Sequence, residues 1–182
     1  SSDVAETGAD VLAVSDHKWL LGPLGAGFTY LSPRAREQVA PSVVGWLTVR
    51  EPFSFDYRLD YPDSADRYES GTEHIVGTLG LGAAVRLFLH LTPQWVEQRV
   101  LGLTDQLAEG LTSRGYEILS DRSEKARSGI LIFRDPHRTP DDVHAGLSRA
   151  GVRCTVRGGG LRLSPHMYNL ESEVDAVLDA LT

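Results

Sequence analysis

The run Ser15-Asp16-His17-Lys18-Trp19-Leu20-Leu21-Gly22-Pro23-Leu24-Gly25-Ala26-Gly27 sets one lysine between an apolar segment and a glycine-rich turn. Just before it, Val11 to Val14 is short, apolar and β-branched at two places, the pattern of a buried strand. Lys18 is therefore expected at a strand's exit. An exit lysine can form an imine with a carbonyl compound once it sheds its proton, and desolvation beside walls such as Trp19 and Leu20 favours the neutral amine. Nearby glycines let a flat ligand approach the backbone, and Ser15 and His17 can donate hydrogen bonds to a phosphate from the same turn. Taken alone, Ser-x-His-Lys more often marks a solvated loop lysine. The chemical reading gains from the whole assembly of strand, Ser-x-His-Lys, Gly-Pro-x-Gly and a second strand.

The elements that must hold this turn follow from punctuation and periodicity. Gly25 to Leu31 reads as the second strand, and Ser32-Pro33 as the cap and first position of a short helix to Val39. Residues 41–67 show little periodicity but carry Trp46, Phe53, Phe55, Tyr57 and Tyr61, and an ordered loop of that length is usually functional or interfacial. Ser70 or Thr72 can cap a helix running to about Leu91, with Gly77, Gly80 and Gly82 implying close packing against another element. Thr92-Pro93 opens a helix to Ser113, with apolar residues from Trp95 to Leu111 at helical spacing. After Gly115, strands at 116–119, 129–133, 152–156 and 161–163 alternate with helices at 140–150 and 170–181. That pattern predicts a small α+β domain of antiparallel strands covered on one face by helices. The chain is thus expected to divide into residues 1–92 with the interface loop, 93–115 as a linking helix and 116–182 as the small domain.

Composition bounds the function. A chain of 182 residues that is 41% hydrophobic can bury a sizeable core. A net charge of -7, from 25 acidic and 18 basic residues, disfavours nucleic-acid and membrane-surface partners. The single cysteine, Cys154, excludes an internal disulfide framework, no paired cysteines suggest a metal site, and a reducing cytoplasmic setting fits best. The first eight residues are polar and feed at once into the strand before Lys18. That leaves no room for an earlier layer of the fold, so a fragment of a longer protein is expected.

Three ordered blocks together resemble one family. Ser15-Asp16-His17-Lys18 with Gly22-Pro23-Leu24-Gly25, then Arg67-Tyr68-Glu69-Ser70-Gly71-Thr72, then Leu161-Arg162-Leu163-Ser164-Pro165-His166-Met167-Tyr168-Asn169 are similar to the active-site segments of class V aminotransferase-fold enzymes. That group includes cysteine desulfurases and isopenicillin N epimerase-like proteins. The resemblance implies the α/β fold of fold type I pyridoxal 5'-phosphate enzymes, seen here as the C-terminal part of the large domain plus the small domain. It implies that Lys18 is the Schiff-base lysine and proton shuttle on an amino acid substrate, and that Ser15 and His17 hold the cofactor phosphate. Gly71 and Thr72 would reach the phosphate of the neighbouring subunit of a homodimer, and Arg162 would grip the substrate carboxylate, a task suited to its planar fork. His166 and Tyr168 read as packing or loop residues.

Two departures shape the functional reading. The residues with which the family pairs the pyridine nitrogen, stacks on the ring and first binds the phosphate all precede the lysine, and nothing before Lys18 supplies them. The parent protein is then the enzyme, with lyase, epimerase or aminotransferase-like chemistry, and the fragment alone is expected to be inactive. Desulfurases carry a cysteine on the loop before the Arg-x-Ser segment, where this chain has only Val156-Arg157-Gly158-Gly159-Gly160-Leu161. Cys154 reads as a buried structural thiol. A desulfurase and a catalytically silent binding module keeping the fold stand as the alternatives.

Overall fold

A computed structural model describes residues 3–181, which divide into two compact units at His90 and Leu91. In the first, Asp3 accepts a hydrogen bond from the Ala5 amide and starts α1 (Val4–Thr7), a turn of helix within the polar first eight residues. Ser1 and Ser2 of that stretch lie outside the described residues. Strand β1 (Val11–Ser15) pairs antiparallel with β2 (Gly27–Leu31), ending on Ser15 opposite Gly27. The expectation of a buried strand is corrected: Val11 is 54% exposed, because β2 is the only strand partner of β1 among the described residues. Ser32 caps α2 (Pro33–Gln38), as the Ser-Pro pair predicts, by accepting from the Ala35 amide.

The aromatic segment that follows has one regular piece, a 3-10 turn at Ala65–Tyr68. It is held by polar contacts more than by its rings. Thr48 is fully buried, accepting from the Gly45 amide and donating to the Glu69 carbonyl, while Arg67 donates to the carbonyls of Pro62 and Arg36. Helix α3 (Ile75–Leu91) begins later than the sequence suggests, and neither Ser70 nor Thr72 caps it. Its glycines separate into two kinds. A Cβ on Gly80 would come 2.8 Å from Pro23 Cγ, and one on Gly77 would come 2.8 Å from Ala26 Cβ, so the glycine-rich turn after Lys18 is seated on this helix. Gly82 has only the flexible end of Arg86 nearby.

The second unit closes a core. Thr92 caps α4 (Pro93–Ser113), and strands β3 (Glu117–Ile118), β4 (Leu131–Arg134), β5 (Thr155–Arg157) and β6 (Gly160–Leu163) form an antiparallel sheet of order β3-β4-β6-β5. Leu131, Phe133, Leu161 and Leu163 project from one face of it. They pack with Leu103, Leu107 and Leu111 of α4, Val143 and Leu147 of α5 (Pro140–Arg149), and Val174 and Leu178 of α6 (Glu171–Asp179). Helix α4 thus belongs to the core of this unit. Tyr116 meets Phe133 edge-on and donates to the Leu181 carbonyl, tying the chain end to the sheet. This is the helix-covered antiparallel sheet that the alternation of elements predicts, with the strand expected at 152–156 displaced to Thr155–Arg157. No single helix among the described residues is long and apolar enough to cross a membrane.

Candidate active site

Where β1 ends, the chain enters a turn whose hydrogen bonds are local. The Gly22 amide donates to the Asp16 carbonyl (2.9 Å), the Leu21 amide donates to the Lys18 carbonyl (3.2 Å), and Asp16 donates back to the Ala26 carbonyl. Leu21 has φ of 57°, a left-handed conformation that a branched side chain adopts only when its surroundings impose it. The Asp16 carboxylate is fully buried with neither oxygen hydrogen-bonded, packed so closely over Gly22 that a Cβ there would sit 2.5 Å from Oδ2. Nothing in the sequence marked Asp16, since a polar residue in a turn is ordinarily solvated.

On the outward side of this turn lie the three predicted residues. Ser15 Oγ and His17 Nδ1 are 2.9 Å apart in a hydrogen bond, and Lys18 follows. The expectation of a desolvated lysine is corrected: Lys18 is exposed, and the Trp19 expected to wall it off is itself 40% exposed. Lys18 has no ion pair among the described residues. Ser15 also lines a cleft of about 510 Å³ with Tyr68 and Glu69, so the first and second sequence blocks share a surface. Gly71 lies against the Trp46 indole, and Thr72 is exposed with no hydrogen-bond partner among the described residues. The geometry does not join Thr72 to Ser15 or His17.

Arg162 stands in the second unit, on the sheet face opposite the core. Its register neighbours are Ile132 on β4 and Thr155 on β5. Its Nε is buried and unpartnered, and the guanidinium has no acidic partner among the described residues. The rest of the third block builds the start of α6. Asn169 accepts from the His166 amide, Glu173 accepts from the Leu170 amide at 2.7 Å, and the buried His166 stacks on the exposed Tyr168 of the same loop with centroids 5.0 Å apart. Cys154 is half-buried just before β5, and burial pushes its thiol up from the ordinary value.

A sequence profile of aminotransferase class-V matches residues 1–177. The chain belongs to the aminotransferase class-V family. Among the relatives, a "Probable cysteine desulfurase" of Pyrococcus abyssi is 29% identical over 98% of this chain and 47% of its own length. The isopenicillin N epimerase of Streptomyces clavuligerus is 30% identical over 98% and 48%. The apo cysteine desulfurase of Thermococcus onnurineus superposes with a TM-score of 0.87 at 28% identity, covering 98% of this chain and 47% of that one. The class-V chain therefore has the fold type I α/β architecture, and it spans about half the length of the relatives it matches. The cofactor indicated by these likenesses is pyridoxal 5'-phosphate; a mutant of the lyase C-DES, alike in fold, has glycine covalently linked to it. The donor set fits such a group. One exposed stretch carries an amine without an ion pair among the described residues, a serine hydroxyl and an imidazole, and the carboxylate of that turn, Asp16, is buried and so does not face a phosphate.

Proposed function

We propose that the chain is the lysine-bearing portion of a pyridoxal 5'-phosphate enzyme acting on an amino acid by lyase, epimerase or aminotransferase-like chemistry. The observation that carries this is the turn that presents the Lys18 amine unpaired next to the hydrogen-bonded Ser15 and His17. The cofactor, when bound, supplies an electron sink next to the substrate's α-carbon. Ser15 and His17 then hold its phosphate, while Gly71 and the free hydroxyl of Thr72 serve the phosphate across a homodimer. Lys18 anchors the cofactor and afterwards takes and returns a proton at the α-carbon. Arg162, without an acidic partner of its own, orients the substrate carboxylate. Since the chain spans half of its relatives' length, the activity is assigned to the longer protein and the chain alone is inactive.

Desulfurase chemistry is the less favoured reading. The β5–β6 hairpin has no cysteine, and the burial that raises the Cys154 thiol works against a thiolate nucleophile. The lysine assignment is testable because the sequence has two lysines, Lys18 and Lys125, both exposed. Borohydride reduction of the complete enzyme with pyridoxal 5'-phosphate, followed by mapping of the peptides of this sequence, should place the label on Lys18 and not on Lys125, and Lys18→Ala should be colourless. Equal labelling of the two lysines, or colourless wild-type protein in excess cofactor, points instead to a silent module that keeps the fold.

A further inference from the structure

Every arginine from Arg99 through Arg138 is paired with an Asp or Glu. None of the arginines after them, Arg149, Arg153, Arg157 and Arg162, has an acidic partner among the described residues. In a chain with net charge -7, such a run of unpaired cations is not a consequence of composition. Two of them share one face of the sheet. Thr155 faces Arg162 and Arg157 faces Gly160, so Arg157 is the diagonal neighbour of Arg162 on the face turned away from the core. Diagonal positions across an antiparallel pair are about 7–8 Å apart, within reach of long side chains, and like charges placed so near each other cost stability. No structural role recommends the pair.

Opposite Arg157 stands Gly160, which puts no side chain between the two arginines; a Cβ there would come 2.2 Å from the Phe133 carbonyl oxygen of β4 and 3.2 Å from Leu119 Cδ1, so a glycine is required, and Ile132 of β4 flanks Arg162 on the other side. The spacing is fixed by the hairpin, whose two-residue loop Gly158-Gly159 has both φ angles positive, the tight turn that matches strand twist. Thr155 adds a hydroxyl beside Arg162. The one acid on this face of the ladder, Glu117, is already paired with Arg134.

We infer that Arg157 and Arg162 together form a two-point anion cradle, and that the substrate is an amino acid carrying a second anionic group at the far end of its side chain. Arg162 takes the α-carboxylate and Arg157 the distal anion. The inference rests on the carboxylate-holding role of Arg162 proposed above, and adds Arg157 as the residue that sets specificity.

The 182-residue chain suffices for the test, which follows the arginine Nε–H signals by NMR during titration with acetate, glutarate and inorganic phosphate. Glutarate should bind about tenfold or more tightly than acetate. Arg157→Ala, at an exposed position, should bring glutarate down to the acetate level and leave acetate unchanged. Arg162→Ala should weaken both, and Arg162→Lys, which keeps the charge in the same packing, should recover part of each. Glutarate no tighter than acetate, with both lost in Arg162→Ala, overturns the cradle and keeps Arg162 as a carboxylate holder. Acetate binding indifferent to Arg162 removes that reading and the cradle with it. Phosphate tighter than glutarate, still dependent on Arg157, makes the distal group a phosphate ester.

Discussion

Individual side chains in this protein divide between those that hold the fold and those left unpaired. Glu171 belongs to the first kind. Arg99 forks onto it and also donates to the Asn169 carbonyl at 2.6 Å, and the Arg99 hydrogen bond holds the Glu171 carboxyl at about 2, against an ordinary 4.5. A carboxylate whose folded value is depressed stabilises the fold above its unfolded value, and that contribution disappears as pH falls toward the folded one. Glu171→Gln should therefore unfold at lower urea than wild type near neutrality, with the gap in midpoint closing between pH 4.5 and about 2. Both groups are at the surface, so the gap should also narrow in high salt. A gap independent of pH would remove the ion pair from the account. Lys18 and Arg162, by contrast, have no ion pair among the described residues, and Thr72 has no hydrogen bond among them, so none of the three is explained by a stability argument.

Among the elements, α3 shows how a sequence of poor helix formers is selected by what it must touch. Gly80 accepts the ring of Pro23, and Gly77 accepts Ala26, so both serve the turn that carries Lys18. Gly82 meets no such neighbour. Gly82→Ala should stabilise the protein by up to about 1 kcal/mol, the ordinary helix gain. Gly80→Ala should cost about 1–3 kcal/mol by overpacking and lower the yield of label trapped on Lys18 in the borohydride experiment. Thermal unfolding of the two variants checks the sign of each change, and equal effects would show that the packing of Pro23 on α3 is not required. Periodicity and punctuation made these elements legible: the Ser32 and Thr92 caps, the closing α+β unit and the close packing of the α3 glycines all followed from local residue types. The start of α3, the exposure of β1 and the burial of Asp16 did not. Each depends on which surfaces the tertiary structure covers, and an apolar strand reads the same whether or not something lies over it. The three site blocks were visible as residue types in order, whereas the pairing of Arg157 with Gly160 required the strand register.

At the scale of the whole chain, the two units differ in how they satisfy the hydrophobic effect. The second buries Leu103, Leu111, Leu131, Phe133, Leu147 and Leu161 almost completely between one sheet face and three helices. The first leaves Val11, Phe28, Phe53, Phe55, Val76 and Leu79 at exposures of 44% or more, and its only sheet among the described residues is the β1–β2 ribbon. An isolated two-stranded ribbon is marginal in water, and amide exchange is slowest where strands lie in a packed core. Exchange measured by mass spectrometry on the chain should therefore find the amides of β4 and β6 the slowest, and those of β1 and β2 faster by about tenfold or more. The same gradient should appear in mild urea, with β1 and β2 exposed at concentrations that leave Leu131 and Phe133 protected. Equal protection of the ribbon and the four-stranded sheet would mean that the apolar residues of the first unit are covered in solution. The turn bearing Lys18 would then be held as rigidly as the sheet bearing Arg162.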